Sequence, residues 1–112
     1  MNRLLSSISL SKRAGKLLLG FDVVKGAVFE GKAAIVLFAS DLSEKTRRSM
    51  ERICEEYEVS TAHLPFTLDE LWMEVGKRAG VLAISDRGLA KLVISQLGPA
   101  ADKEECLYDG EI

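Results

Sequence analysis

The chain has 112 residues, 47% of them hydrophobic and 29% charged, with a formal net charge of -2 and a sequence pI near 5.4. That length supports one core and leaves too little for a second, and no apolar run approaches the roughly 20 residues of a membrane span. The charge balance excludes a generic polycation that coats nucleic acid, but it hides an asymmetry. Up to Lys32 the bases Arg3, Lys12, Arg13, Lys16, Lys25 and Lys32 oppose only Asp22 and Glu30, whereas beyond Gly98 the acids Asp102, Glu104, Glu105, Asp109 and Glu111 oppose only Lys103.

The opening MNRLLSSISLSKRAGK carries Ser at short intervals where a secretory leader needs an unbroken apolar stretch, so a cytoplasmic protein is expected. A first helix is predicted over roughly Arg3 to Lys12. KLLLG then gives a short strand ended by Gly20. In FDVVKGAVFEG the residues Val24, Ala27 and Val28 line one helical face, and Gly31 stops the helix as a C-terminal cap. AAIVLFA reads as a strand covered on both faces. SEKTRRSMERICEEYE places Met50, Ile53, Cys54 and Tyr57 at i, i+3, i+4 and i+7 of a helix. STAHLP is a further strand, and Thr67 and Glu70 stand at capping-box spacing ahead of Leu71 and Val75. VLAIS is another buried strand. Asp86 can cap a last helix bearing Leu89, Leu92 and Val93, which Gly98 and Pro99 end. Helices alternating with short strands predict an α/β/α sandwich, with a central mixed sheet of about four short strands. Residues 1–98 form the expected domain. Residues 99–112 form an acidic tail, pinned at most through Leu107 and Tyr108.

Most catalytic chemistry finds no residues here. Cys54 and Cys106 are far apart, no CxxC occurs, and His63 is the lone histidine, so no zinc site and no structural disulfide are expected. Cys54 reads as a buried, inert thiol. The spacing Gly15 to Gly20 imitates a phosphate loop, yet Phe21 and Asp22 stand where a Lys and a Ser or Thr should follow. His63 reads as a structural or surface residue, ISD lacks the glycines of a nucleophile elbow, and Glu55 and Glu56 face apart on a helix. No enzyme, cofactor or metal is expected. The strand, Gly20, helix arrangement has two readings. Helix-start N–H groups attract an anion while Lys25 reaches a phosphate or guanine edge and Asp22 accepts from base amino groups. Alternatively, Asp22 is a first-turn carboxylate, Lys25 its i+3 neighbour and Phe21 an anchor. Spacing alone favours the second.

The ordered set RAGK, a glycine-led helix start with Lys25, Gly31-Lys32, a hydrophobic strand and ASD, followed by CEEYEV and DELWMEVGKRAGVLAISDRGLAKLV, resembles a known family. From about Leu5 to about Leu97 the chain is similar to the L-seven-Ae and L-thirty-e ribosomal proteins, and most to their small bacterial YlxQ-type branch. The resemblance implies an α/β/α sandwich that binds kink-turns, sharply bent RNA duplexes with tandem sheared G·A pairs, in the ribosome or a small ribonucleoprotein. It puts base reading on Phe21, Asp22 and Lys25, backbone access on Gly20, and phosphate contacts on Lys16 and Lys32. The loop before the last strand, GKRAG with Lys77 and Arg78, would meet an extruded nucleotide or phosphate. Phe21 replaces the family's usual Asn and Asp22 its Glu. Trp72 stands where the family often has Gly. An exposed indole there would mark a protein partner or self-association surface on a scaffold that has lost RNA affinity, and a partly buried one would be packing. Phosphates repel acids, so the tail is expected on the far side from the RNA edge.

Overall fold

The computed structural model describes residues 3–97, so the acidic tail with Cys106, Leu107 and Tyr108 lies outside the described residues. In chain order the elements are α1 (Arg3–Arg13), β1 (Leu17–Leu19), α2 (Phe21–Phe29), β2 (Ile35–Phe38), α3 (Glu44–Glu56), β3 (Ser60–His63), α4 (Leu68–Val75), β4 (Val81–Ile84) and α5 (Arg87–Leu97). The sheet order is β1-β4-β2-β3. β4 runs antiparallel to both neighbours, and β2 and β3 are parallel, which makes the sheet mixed.

The two central strands explain the layering. All four residues of IVLF in β2 and of VLAI in β4 are buried, and successive side chains must leave a strand on opposite faces. Ile35, Leu37, Leu82 and Ile84 meet Leu4 and Ile8 of α1, Leu71 and Val75 of α4, and Ala90 and Val93 of α5. Val36, Phe38, Val81 and Ala83 meet Val24 and Val28 of α2 and Met50 and Cys54 of α3. An unbroken apolar strand is thus what a doubly covered sheet requires, and the fold is an α/β/α sandwich.

Local signals set the element ends. Thr67 Oγ accepts from Glu70 N at 3.1 Å while Glu70 Oε1 accepts from Thr67 N at 2.8 Å, closing the predicted capping box. Asp86 Oδ2 accepts from Leu89 N at 2.8 Å. At the end of α2, Gly31 N donates to Val28 O and Lys32 N to Ala27 O, the paired bonds of a glycine-capped helix. Two side chains depart from the periodic reading. Tyr57 ends α3 half exposed and packs tilted on Phe29, ring centroids 5.1 Å apart, instead of entering the core. Leu92 is exposed, and Ala90 and Val93 carry the packing of α5. His63 lies on the surface, its Nε2 3.8 Å from Glu51 Oε2. Cys54 is a free, buried thiol that burial first and the Glu51 charge second push up to about 11. Among the described residues no helix is long and apolar enough to cross a membrane.

Backbone hydrogen bonds define the two ends of the sheet. Gly20 N donates to Val81 O where β4 begins. At the other end of β4, Ala34 N donates to Ile84 O and Ser85 N to Lys16 O, close to where α2 finishes. A two-residue connection follows, so α5 runs back along the sheet and Leu97 points toward the Gly20 end.

Candidate nucleic-acid interface

The site starts from a backbone requirement. Gly20 leaves β1 at φ 105° and ψ 148° and serves as the N-cap of α2 without any side-chain cap. That conformation belongs to glycine, because a Cβ there strains the backbone by ~1–3 kcal/mol. Gly20 brings no side-chain acceptor of its own to the first-turn N–H groups of α2, which carry the partial positive charge of a helix start.

Four predicted residues stand on or beside this start. Phe21 is half-buried and packs against the Val24–Val28 core, so it does anchor the helix as the simpler reading holds. Asp22 is exposed and Lys25 half-buried. Neither makes an ion pair among the described residues, so the simple i+3 bridge between them does not form. The turn of residues 76–80 supplies the other wall. Gly76 caps α4 in the left-handed region, and Lys77 turns back so that its Nζ is 4.0 Å from where a Gly20 Cβ would stand.

That turn is held by packing. A Cβ on Gly80 would come within 2.6 Å of Leu42 Cδ1 and 3.1 Å of Leu68 Cδ2, so a larger residue lets the turn close only if these side-chain ends move. Ala39 N donates to Gly80 O at 2.9 Å, and Asp41 Oδ1 accepts from Leu68 N at 2.8 Å. Arg78 Nη2 rests 3.4 Å from Asp69 Oδ1, with both side chains well exposed. Exposed pairs of this kind are worth little and release easily.

The remaining candidates separate. Lys16 precedes β1 and its carbonyl accepts from Ser85 N at the opposite end of the sheet, four extended residues or roughly 13 Å from Gly20. Lys32 lies past the C-terminal end of α2, roughly 14 Å further along the helix, and pairs with Glu30 at 3.1 Å. Gly20, Phe21, Asp22, Lys25 and Lys77 thus form one edge with Arg78 near it, and Lys16 and Lys32 belong to the other end. Lys12 is the residue that the sequence left unassigned. Its Nζ lies 3.4 Å from where a Gly76 Cβ would stand, which brings a further cation to the 76–80 turn. Its only sequence signal was membership of the basic first third, and nothing local links α1 to that turn.

On α4, Trp72 is 50% exposed and Met73 88% exposed, so the indole is neither free nor fully packed. Among the described residues no group of His, Cys, Asp and Glu could hold a metal ion.

Comparison with known proteins places the chain in a family. A family model described as ribosomal protein L7Ae/L30e/S12e/Gadd45 matches residues 2–94. The chain is 37% identical over 84 residues to the RNA-binding protein YlxQ of Enterococcus faecium, covering 75% of this chain and 81% of that one. It is 32% identical over 95 residues to the RNA-binding protein YlxQ of Bacillus subtilis strain 168, covering 80% and 90%. Among solved structures, a protein of unknown function from Bacillus halodurans superposes with a TM-score of 0.81 at 24% identity, over 87% of this chain and 98% of that chain. The 15.5 kD RNA-binding protein of Giardia lamblia superposes with a TM-score of 0.70 at 18% identity, over 88% and 84%. At such identities the two structures speak to the fold alone. With the family model spanning nearly every described residue and two relatives above 30% identity, the chain belongs to the ribosomal protein L7Ae/L30e/S12e/Gadd45 family.

Proposed function

We propose that this protein is a non-catalytic binder of structured RNA of the kink-turn type, acting in the cytoplasm on the ribosome or another ribonucleoprotein. The observation that carries the reading is the meeting of the glycine-capped start of α2 with the Lys77 ammonium at Gly20. The YlxQ relatives, named as RNA-binding proteins, support it.

The chemistry follows from what a sharp bend exposes. Regular A-form RNA hides its bases in a deep, narrow groove, whereas a kink opens the groove and splays nucleotides outward. Gly20 lets the RNA backbone approach, Lys25 donates to a guanine edge, and Asp22 accepts from base amino groups, which explains a carboxylate beside phosphates. Lys12, Lys77 and, once released from Asp69, Arg78 neutralise phosphates. The exposed part of the Phe21 ring offers a stacking surface where the family usually has Asn.

A gel shift with a fluorescent kink-turn RNA at two salt concentrations tests this, using the wild type and Lys25→Ala. Binding should weaken with salt and with the substitution, and an RNA lacking the G·A pairs should bind poorly. Affinity no better than the ~10⁻⁴ M of non-specific contact would sink the reading. The exposure of Trp72 and Met73 then favours the second one, a protein-interaction module using α4 as a partner or self-association surface. Iodide quenching of Trp72 that disappears at high protein concentration would reveal self-association.

A further inference from the structure

We propose that the acidic tail, residues 99–112, folds back along α5 and docks in a groove at the Gly31 end of the domain. The groove has a volume of about 350 Å³ and lies between the turn after α2, the start of β3 and one flank of α5. Lys32, Arg87 and Lys91 line it, against Glu58 as the acidic lining residue. Arg87 and Lys91 make no ion pair among the described residues, and the Lys32–Glu30 pair is open to solvent on both sides. Ala33, Val59 and Ile94 give the groove an apolar floor, and Ile94 is 40% exposed.

Charge, composition and reach all match this one occupant. The tail carries five acids against one Lys, with Leu107 and Tyr108 as the apolar pair that such a floor would take up. The tail leaves from Leu97, the last residue of α5, and the same helix supplies Arg87, Lys91 and Ile94 to the groove. Gly98 and Pro99 come next in the sequence, residue types that favour a chain reversal. Returning from Leu97 to Arg87 needs ~15 Å, which about five extended residues span, so Leu107 and Tyr108 reach the groove with chain to spare. The edge at Gly20 is the competing berth. It has cations but presents Asp22, and Phe21, its aromatic residue, is partly packed on the core. A tail held at the Gly31 end keeps five acids away from an edge that must receive phosphate.

The test uses the full chain and its own cysteine. Cys54 is buried and its thiol is pushed up to about 11, so a nitroxide maleimide modifies Cys106 alone. Paramagnetic broadening of backbone amides should then be strongest at Lys32, Val59, Ser60 and Lys91 and weak at Phe21 and Lys77. Arg87→Glu with Lys91→Glu should remove at least half of it, and adding Glu104→Lys with Glu105→Lys should restore it. Leu107→Ser with Tyr108→Ser, which alters no residue of the folded domain, should also abolish it. Strongest broadening at Phe21 and Lys77, weak broadening everywhere, or broadening that survives the charge reversal would each overturn the proposal.

Discussion

Replacing Gly20 by Ala separates geometry from charge at the proposed RNA edge. At φ 105° and ψ 148° the new Cβ meets only Lys77 Nζ, at 4.0 Å, so no collision contributes and the cost comes from the backbone. Conformations of this kind cost ~1–3 kcal/mol in residues other than glycine. At about 4 °C per kcal/mol for a domain of this length, a mid-range cost of ~2 kcal/mol lowers the melting midpoint by ~8 °C. If the first turn of α2 relaxes instead, the loss of stability is smaller but the N–H groups of Phe21 and Asp22 turn away, and RNA affinity falls. Thermal melts and binding isotherms at several salt concentrations distinguish this variant from Lys77→Ala. Losing the Lys77 charge should reduce the slope of log K against log salt by about 0.7–0.9. Gly20→Ala should weaken binding with that slope unchanged, because it removes no cation. An unaltered midpoint together with unaltered affinity would refute the argument for Gly20, and an unaltered slope in Lys77→Ala would refute a phosphate contact there.

Three further outcomes follow from the fold. Glu58 sits at φ 58° where α1 and α2 use Gly15 and Gly31 at the matching corner, with Val59 N donating to Cys54 O at 2.8 Å and Glu58 N to Glu55 O at 3.3 Å; Glu58→Gly should stabilise by ~0.5–1 kcal/mol in urea unfolding, the left-handed penalty less the extra freedom of an unfolded glycine. Gly80→Ala must push aside Leu42 and Leu68, so it should destabilise by ~1–3 kcal/mol and, by shifting the turn that carries Lys77, weaken RNA binding beyond what stability explains. Cys54 is held at about 11 in the folded state against 9.0 unfolded, so between these values the unfolded chain sheds a proton that the folded chain keeps. Wild-type stability should therefore fall with rising pH by up to about 1.4 kcal/mol per unit more than that of Cys54→Ala, measured by denaturant unfolding across that window.

The sequence disclosed those parts of the molecule whose causes are local. IVLF and VLAI are apolar at every position because helices cover both faces of the sheet, and the Thr67–Glu70 and Asp86 caps are complete within four residues of chain. Tyr57 shares the apolar spacing of Met50, Ile53 and Cys54 but leaves the core, because periodicity counts residues but not where a helix stops, and α3 stops at Glu56. The pairing order was harder. Nothing in LLL or VLAI says that β4 enters between β1 and β2, yet that insertion sets the start of β4 beside Gly20 and delivers Lys77 to the first turn of α2. Lys12 and Lys32 show the same limit in opposite directions. Both belong to one basic stretch in sequence, but the fold sends Lys12 to the 76–80 turn and Lys32 to the far end of α2. A net charge of -2 therefore says little about RNA binding, because the fold sorts charge by end. Cations gather where the chain reverses around Gly20, and a second set faces a groove at Gly31 whose best match in charge is the protein's own tail. If both berths are used as proposed, an acidic protein can bind a polyanion because its acids are held at the other end.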